Sequence, residues 1–370
     1  MSQRIVCVAC GGQSSEHEVS LLSAKNVTDA LPRDKYTPLI TGIDKKGLWY
    51  LYPDGHFCIS ADDPTKISLA PSGIPVFPVR SSDGPALQEL SSGKRHPFDI
   101  LFPVLHGANG EDGAMQGLGQ MLSCPCVGCD VSSSAACMDK DTTKQLLAAN
   151  GISVARSVVL RNGHSSLQAE EIVATLGLPL FVKPAHTGSS IGVAKVKSVD
   201  ALAAAVTDAF RYDRKVIIEE YVQGREIECA VLGNAEPFCA IPGEIVPHTD
   251  FYSYAAKYLL ADGASLKTPA DLTPDQIAQV QALACRAYQL LGCSGMARVD
   301  FFFKPDGSWM LNELNSIPGF TKISMFPKLM QLSGFSYSSL IDRLLQLSID
   351  FHAENAMLSE ASPASPETAK

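Results

Sequence analysis

The chain has 370 residues, 46% of them apolar and 19% charged, with a formal net charge of −9 at pH 7. This length exceeds what one hydrophobic core usually organises, so we expect two or three domains. An acidic chain without a basic block argues against nucleic acid or a membrane as partner. Without a long apolar run or an amino-terminal export signal, the sequence predicts a cytoplasmic protein.

The eleven cysteines lack the regular spacing of a disulfide framework, and we expect most of them to be buried thiols. Cys124, Cys126 and Cys129 lie close enough in sequence to suggest a soft-metal site. They lack the second ligand pair that a structural zinc needs. We therefore interpret them as packing residues.

The amino-terminal part has the pattern of an α/β domain. A short apolar strand at 5–9 is followed by a glycine turn and by an amphipathic helix at 19–31. Further strands are predicted at 37–42, 48–52 and 99–105, with a weakly patterned segment at 64–97. The early glycines do not match G-x-G-x-x-G, which argues against a nicotinamide enzyme. The last strand leads into the glycine-rich polar loop 106–113, at a position where α/β proteins build sites.

A second unit follows, with a helix predicted at 138–150, a strand at 154–160 and a helix at 165–176. The strand 180–184 then leads through the glycine–serine loop 188–192 to another strand. Backbone N–H groups and hydroxyls of such a loop can contact phosphate oxygens, and Lys183 adds charge beside it. The alternative is an ordinary hairpin turn.

The loop 188–192 also satisfies G-x-S-x-G, the nucleophile elbow of serine hydrolases, with Ser190 as nucleophile. That elbow requires a helix directly after the serine, whereas a strand is predicted here. A serine hydrolase is therefore a remote alternative. No G-x-x-x-x-G-K-[ST] is present, so nucleotide binding would not be of the P-loop kind.

Two segments downstream combine charge with a strand pattern or a loop. The strand 216–222 is followed by alternating acidic and apolar residues, and Glu219 or Glu226 could accept hydrogen bonds from adenine or ribose. The alternative for both is ordinary solvent-facing charge. The aromatic segment 251–258 interrupts the sheet pattern and predicts a mobile flap. Thr273 opens a T-x-x-Q capping box and a structural helix.

Three oxygen-bearing side chains lie on or directly after two neighbouring predicted strands, at 296–304 and 308–314. If Asp300, Glu313 and Asn315 share one face, they form a hard oxygen site. Such a site suits Mg²⁺, which shares its remaining positions with water and nucleotide phosphates. The alternative is ordinary charge pairing on a solvated sheet.

Together these motifs resemble the D-alanine–D-alanine ligases over about residues 1–350. The matching segments, in the order of that family, are Gly11-Gly12 with 16–20, His106-Gly107 with 110–113, 138–140, 181–184, 188–190 and 298–321. The resemblance implies an α/β and α+β multidomain protein with a Rossmann-like amino-terminal domain and two ATP-grasp lobes. The expected parts are 1–128, 129–219 and 220–351, with a disordered tail at 352–370 that is rich in Ala, Ser, Glu and Pro.

The resemblance also implies a reaction. The carboxylate of one D-alanine attacks the γ-phosphate of ATP, and the acyl phosphate is then attacked by the amine of a second D-alanine, for peptidoglycan precursor synthesis. Two Mg²⁺ ions, for which Mn²⁺ can substitute, would neutralise charge on the transferred phosphoryl group. A cytoplasmic homodimer is expected.

The residues that match the family motifs receive their roles by resemblance. Substrate binding falls to Glu16, His106, Ser324 and Met325. ATP binding falls to Lys140, Lys183, Ser189, Ser190, Glu219, Val222, Glu226 and Lys257. The metal ligands are Asp300, Glu313 and Asn315. Catalysis falls to Arg298 and Gly319 as oxyanion donors, and to Glu16, Ser189 and Tyr258, which close over the intermediate.

Two other activities stay open at this point. Another ATP-grasp carboxylate–amine ligase, making D-alanyl-D-lactate or D-alanyl-D-serine, would share the phosphate and metal residues. Relatives that make D-alanyl-D-lactate have a histidine where this chain has Lys257-Tyr258, so the dipeptide is favoured. A noncatalytic nucleotide-binding module would leave Arg298 without a purpose. Glu220 departs from the family, whose members often carry a cation there.

Overall fold

The computed structural model describes residues 3–63, 65–163, 168–248 and 264–360. The predicted flap 251–258, with Lys257 and Tyr258, lies outside the described residues. No helix within the described ranges is both long and apolar enough to cross a bilayer.

The amino-terminal domain is built on a seven-stranded sheet of order β8-β7-β6-β3-β2-β1-β9. Its strands, with the separate ribbon β4–β5, are β1 (Arg4–Gly11), β2 (Tyr36–Ile43), β3 (Trp49–Tyr52), β4 (Cys58–Ile59), β5 (Ser68–Leu69), β6 (Ile74–Ser81), β7 (Gly84–Glu89), β8 (Arg95–Pro97) and β9 (Ile100–Val104). Among the strands described for this sheet, the parallel pairs are β1 with β2 and β1 with β9. The helices are α1 (His17–Ala30) and α2 (Ala114–Met121).

The predicted strand–turn–helix unit at the amino terminus is confirmed within a few residues. The weakly patterned segment 64–97 contains β6, β7 and β8, which the sequence did not reveal. Pro75 and Pro78 lie within β6 and dilute its strand signal. Strand β6 pairs with β3 only over residues 74–76, so Pro78 lies where the strand has a single neighbour, β7.

The helix predicted at 138–150 is in fact the junction of two helices, α3 (Val131–Met138) and α4 (Lys140–Ala149). Asp139 separates them, and its carboxylate accepts hydrogen bonds from the N–H groups of Asp141 and Thr142. Because Asp139 caps α4, Lys140 becomes the first residue of a new helix.

The central lobe has an antiparallel sheet of order β10-β13-β11-β12. Its elements are β10 (Ser157–Arg161), α5 (Ala169–Leu176), β11 (Leu180–Pro184), β12 (Ala194–Val196), α6 (Val199–Ala209) and β13 (Lys215–Glu220). The loop 188–192 connects the antiparallel strands β11 and β12, as predicted. Because a strand follows the loop, the context of a nucleophile elbow is missing and the hydrolase alternative is wrong.

The carboxy-terminal lobe has a sheet of order β17-β16-β14-β18-β19, with β15 on β14. Its elements are β14 (Arg225–Leu232), β15 (Phe238–Cys239), β16 (Gly243–Pro247), β17 (Ala264–Lys267), α7 (Pro274–Leu290), β18 (Met296–Phe303), β19 (Trp309–Asn315), α8 (Met325–Leu332) and α9 (Tyr337–Glu360). The capping box that Thr273 makes with Gln276 is confirmed.

Two segments pack differently from their predicted places. The predicted central lobe begins at residue 129, yet Cys137 of α3 and Leu147 of α4 join the core beneath the carboxy-terminal sheet. Helix α9 returns to the amino-terminal domain, with Leu344 in the same core as Leu21. The predicted disorder from 352 onward is wrong for 352–360, which continue α9. Residues 361–370 lie outside the described residues.

The cysteines are packing residues for the most part. All eleven are free thiols, and eight of them are buried. Burial raises the pKa of Cys124 to about 11, with the nearby Arg80 opposing that rise. The prediction that most cysteines are buried thiols is therefore confirmed.

Candidate active site

A cavity of about 990 Å³ lies where the amino-terminal domain and the two lobes meet. Within the described ranges, the predicted site residues that line it are Glu16, His106, Lys140, Lys183, Ser189, Ser190, Glu219, Val222, Glu226, Arg298, Glu313, Asn315, Gly319, Ser324 and Met325. Asp300 lies directly behind this wall, bound to Arg298. The structure thus gathers residues that are far apart in sequence.

Glu16 marks the corner where the amino-terminal domain meets the central lobe. It is buried at the start of α1, and its carboxylate accepts a hydrogen bond from the Ser189 hydroxyl. A Cβ atom at either Gly107 or Gly188 would lie 3.0 Å from Glu16 Oε2. Glycine therefore lets both loops approach this carboxylate closely.

The loop that carries Ser189 has an uncommon backbone conformation. Ser189 has φ +50° and Ser190 has φ +59°, in the left-handed region that residues with a side chain seldom adopt. Lys140 Nζ donates a hydrogen bond to the Thr187 carbonyl at 2.6 Å and so ties α4 to this loop. Burial lowers the pKa of Lys140 although Glu313 opposes that change. Strained backbone of this kind is common at binding sites.

Two lysines enclose one buried carboxylate on the central-lobe wall. Lys183 Nζ on β11 lies 2.7 Å from Glu219 Oε2 on β13, and Lys144 Nζ on α4 lies 3.2 Å from Glu219 Oε1. Burial alone would raise the pKa of Glu219, but the two lysines together lower it, so this carboxylate is ionised. Lys144 was not predicted. It follows Lys140 by four residues on one helix, a spacing that puts both side chains on the same face and could have indicated a shared site.

The strands β18 and β19 confirm the predicted common face. Arg298 is paired with Asn315 and Asp300 with Glu313, so all four side chains project from the same side of the sheet. Arg298 binds Asp300 through two hydrogen bonds, Nε to Oδ1 at 2.8 Å and Nη2 to Oδ2 at 2.7 Å. Its Nε also lies 3.3 Å from Glu228 Oε2, a contact that the sequence did not suggest.

The donor chemistry of this face fits Mg²⁺ in combination with a nucleotide. Asp300 and Glu313 offer carboxylate oxygens and Asn315 offers an amide, whose nitrogen donates to Asp300 Oδ2 at 3.2 Å. Among the described residues, no group of three or more His, Cys, Asp or Glu side chains is arranged to hold a metal by itself. Mg²⁺ usually binds through one or two carboxylates plus water and phosphate oxygens. The two carboxylates and the amide match this preference, because they leave coordination positions for water and phosphate oxygens.

His106 lines the cavity, but both of its ring nitrogens contact protein groups. Nδ1 donates to the Ile317 carbonyl at 3.1 Å, so Nε2 must accept from the Ser23 hydroxyl, also at 3.1 Å. This follows because a carbonyl oxygen can only accept. Burial lowers the pKa of His106 and favours the neutral ring. Its polar atoms hold the carboxy-terminal loop against the amino-terminal domain.

Glu111 is a second residue that the sequence left without a role, although it lies in the loop 106–113 that was expected to build a site. It lines the cavity and accepts a hydrogen bond from the Gly107 N–H at 2.6 Å. Burial, and then the charge of Glu16, raise its pKa to about 8. Both effects favour the protonated form of Glu111.

The start of helix α8 forms the far end of the cavity. Ser324 precedes the helix, and Met325 is its first residue. The Ser324 hydroxyl accepts the Thr321 N–H at 3.0 Å and does not cap α8, while a Cβ at Gly319 would lie 2.8 Å from it. The first N–H groups of a helix favour an anion such as a carboxylate.

The end of β13 and the start of β14 border another part of the cavity. Val222 and Glu226 line it. Glu220, which departs from the family pattern, accepts hydrogen bonds from the Arg156 backbone N–H at 2.9 Å and from Arg156 Nε at 2.7 Å. The acidic residue at this position is therefore neutralised within the protein.

Comparison with known families agrees with this geometry. Residues 5–129 match the family model described as D-ala D-ala ligase N-terminus, and residues 146–346 match the one described as D-ala D-ala ligase C-terminus. The chain belongs to the D-alanine–D-alanine ligase family. Its ATP-grasp fold, with an amino-terminal α/β domain and two lobes, confirms the predicted fold class.

Members of this family resemble the chain over almost its full length. The D-alanine–D-alanine ligase A of Escherichia coli K12 is 46% identical over 360 residues, which cover 96% of this chain and 99% of the relative. The solved D-alanine–D-alanine ligase from Coxiella burnetii has a TM-score of 0.86 at 39% identity and covers 97% of this chain and 98% of its own. VanG D-Ala:D-Ser ligase from Enterococcus faecalis has a TM-score of 0.81 at 36% identity, with coverage of 94% and 100%.

Proposed function

We propose that this enzyme joins two D-alanine molecules to D-alanyl-D-alanine, with conversion of ATP to ADP and phosphate, for peptidoglycan precursor synthesis. The observation that carries the proposal is the corner at Glu16. There a carboxylate from the amino-terminal domain meets Ser189 of the glycine–serine loop, inside the cavity that also contains Lys140, Lys183 and Arg298. The names of the relatives support the same activity.

In the first step, the carboxylate of the first D-alanine attacks the γ-phosphorus of ATP. A bond forms between carboxylate oxygen and phosphorus, the bond to the β,γ-bridging oxygen breaks, and ADP leaves. Glu16 binds the ammonium group of this D-alanine, and His106 forms the neighbouring wall. Lys140, Lys183 and the 188–190 loop hold the phosphates, so the reacting atoms are oriented before the reaction starts.

In the second step, the amine of the second D-alanine attacks the carbonyl of the acyl phosphate. Arg298 and the Gly319 N–H stabilise the tetrahedral oxyanion; the attacking nitrogen loses a proton, and collapse breaks the bond from carbon to the phosphate oxygen, forms the amide and releases phosphate. One such donor typically contributes about 3–4 kcal/mol. Ser324 and the N–H of Met325 receive the carboxylate of the second substrate.

Adenine and ribose occupy the part of the cavity beside the end of β13 and the start of β14. The Glu219 carboxylate accepts a hydrogen bond from the adenine amino group, the Val222 backbone contacts the base, and Glu226 receives the ribose hydroxyls. The ionised state of Glu219, maintained by its lysine neighbours, suits an acceptor.

Asp300, Glu313 and Asn315 would hold two Mg²⁺ ions, for which Mn²⁺ can substitute. When bound, such ions neutralise charge on the transferred phosphoryl group. The side chains themselves orient the metal–nucleotide complex, and Arg298 keeps Asp300 in place on β18.

Lys257 and Tyr258 complete the proposal from the sequence, since both lie outside the described residues. Lys257 contacts the γ-phosphate, and Tyr258 closes over the intermediate with Ser189 and Glu16. Closure matters because water would hydrolyse an acyl phosphate. We further propose a cytoplasmic homodimer.

The test is phosphate release from Mg-ATP with D-alanine, with products identified by mass. We expect release that depends on D-alanine and yields D-alanyl-D-alanine. L-alanine is the stereochemical control, and mixtures of D-alanine with D-serine or D-lactate test the acceptor. Release without the dipeptide, or the same rate with L-alanine, would contradict the proposal.

A further inference from the structure

Lys144 is buried next to the nucleotide subsite but does not line the cavity. Its side chain is only 5% exposed, compared with 12% for Lys183, which does line it. Both lysines face the same carboxylate, Glu219. A buried carboxylate needs one counter-charge, and here it has two, of which only Lys183 can reach a ligand in the cavity.

The contact between Lys144 and Glu219 is incomplete. Lys144 Nζ and Glu219 Oε1 lie 3.2 Å apart, yet neither atom makes a well-oriented hydrogen bond with any residue in the described part of the chain. Glu219 Oε2, in contrast, is close to Lys183 at 2.7 Å. Glu219 lines the cavity, but its Oε1 is enclosed by protein, and Lys144 is the cation that lies beside that oxygen.

The proposed reaction places a second demand on Lys183. If Lys183 binds ATP phosphates, its ammonium must divide its interactions between Glu219 and the ligand. A buried carboxylate left without a full counter-charge is strongly disfavoured and shifts toward its protonated form. A protonated Glu219 could also donate a hydrogen bond. It would then no longer prefer an amino group over a carbonyl group on the base.

We propose that Lys144 is a positioning residue for nucleotide selection, which keeps Glu219 ionised and oriented toward the adenine amino group while Lys183 engages the phosphates. The inference deepens the proposed function and rests on ATP being the nucleotide. Lys144 acts through Glu219 and does not touch the substrate. Helix α4 carries both Lys140 and Lys144, so one rigid element places a phosphate ligand and the partner of the base-reading carboxylate.

The test compares ATP with inosine triphosphate, which has a carbonyl where adenine has its amino group. In the Lys144→Met variant we expect the ratio of kcat/KM for ATP over inosine triphosphate to fall by at least about tenfold, since a site that reads a polar group discriminates strongly only while its partner is correctly charged. The loss should appear in the KM for nucleotide, with the KM for D-alanine unchanged. Lys144→Arg keeps the charge and should retain the preference for ATP.

A double variant guards against a purely structural effect. In a Glu219→Gln background, Lys144→Met should cause no further change in the ATP preference, because Lys144 works through that carboxylate. The double variant also lacks the buried Glu219 charge, so it can be measured even if Lys144→Met alone fails to fold. Lys25→Met, at a surface lysine paired with Asp29 on α1, is the matched control and should behave as wild type.

Nucleotide binding is also measured by calorimetry with Mg²⁺ and without D-alanine. A failure of the D-alanine assignment would then leave the Lys144 test intact, because binding of ATP and of inosine triphosphate is compared directly. An unchanged ATP preference in a folded Lys144→Met protein would overturn the inference. So would equal losses for both nucleotides, or an additive effect in the Glu219→Gln background.

Discussion

The central and carboxy-terminal walls of the cavity have opposite charge arrangements. On the central-lobe wall, the carboxylate of Glu219 lies between Lys144 and Lys183. On the carboxy-terminal wall, the guanidinium of Arg298 lies between Asp300 and Glu228. Each wall thus places one charge between two of the opposite sign, and because most of these groups are buried, their mutual attraction offsets the cost of their desolvation.

The difference teaches how an acidic protein can bind a polyanion. The lysine excess on one wall favours phosphates, and the carboxylate excess on the other favours a divalent cation. A metal–nucleotide complex carries both kinds of charge and fits between the walls. The net charge of −9 describes the whole surface and does not reveal this local division.

The largest expected effect comes from weakening the acidic wall. Glu313→Gln keeps the shape of the side chain and removes its charge, so we expect kcat/KM to fall at least about 100-fold through weaker metal binding. The Mg²⁺ concentration for half-maximal rate should rise in parallel. Glu236→Gln, at an exposed position, is the control. An unchanged Mg²⁺ dependence would argue against a metal ligand at this position.

The cationic wall is expected to give the next largest effect. Lys183→Met should reduce kcat/KM for ATP by about 10–100-fold, because one charge-assisted contact to phosphate is lost. The melting temperature should change little, since Lys144 still neutralises Glu219. Steady-state kinetics and thermal melting measure the two effects, with Lys66→Met at the surface as control. A large loss of stability with normal nucleotide kinetics would contradict this division of tasks.

The smallest expected effect concerns His186, which precedes the glycine–serine loop. His186 lies 2.8 Å from Asp213 and 3.4 Å from Asp139, and these two carboxylates raise its pKa to about 9. A raised histidine pKa stabilises the fold fully below its ordinary value of 6.5, and this contribution is lost as pH rises through 9. His186→Asn should lower the melting temperature by about 1–2 °C near pH 6, because the His186 side chain is 45% exposed and solvent therefore weakens its ion pairs.

The difference between wild type and His186→Asn should disappear as the pH is raised past 9. Thermal melting from pH 6 to pH 10 measures it, and His56→Asn at an exposed position is the control. A constant difference across this range would mean that the contribution of His186 does not depend on its charge.

Local features were predictable from the sequence because their causes are local. The capping box at Thr273, the hairpin around 188–192 and the paired strands that carry Asp300 and Glu313 each follow from alternation, turn residues or capping chemistry within a few residues. The order of the motifs was sufficient to indicate the family and its fold. The sequence did not assign roles to Glu111 and Lys144, because those roles depend on neighbours from elsewhere in the chain.

Only the tertiary structure decided which partner each side chain meets. Periodicity indicates which face of an element is buried, but it does not identify the element that covers it, so the packing of α3 and α4 beneath the carboxy-terminal sheet was not foreseen. The same holds for polar contacts. Glu16 and Ser189 are 173 positions apart and become hydrogen-bond partners only when the amino-terminal domain and the central lobe meet, because such long-range contacts depend on how the whole chain folds.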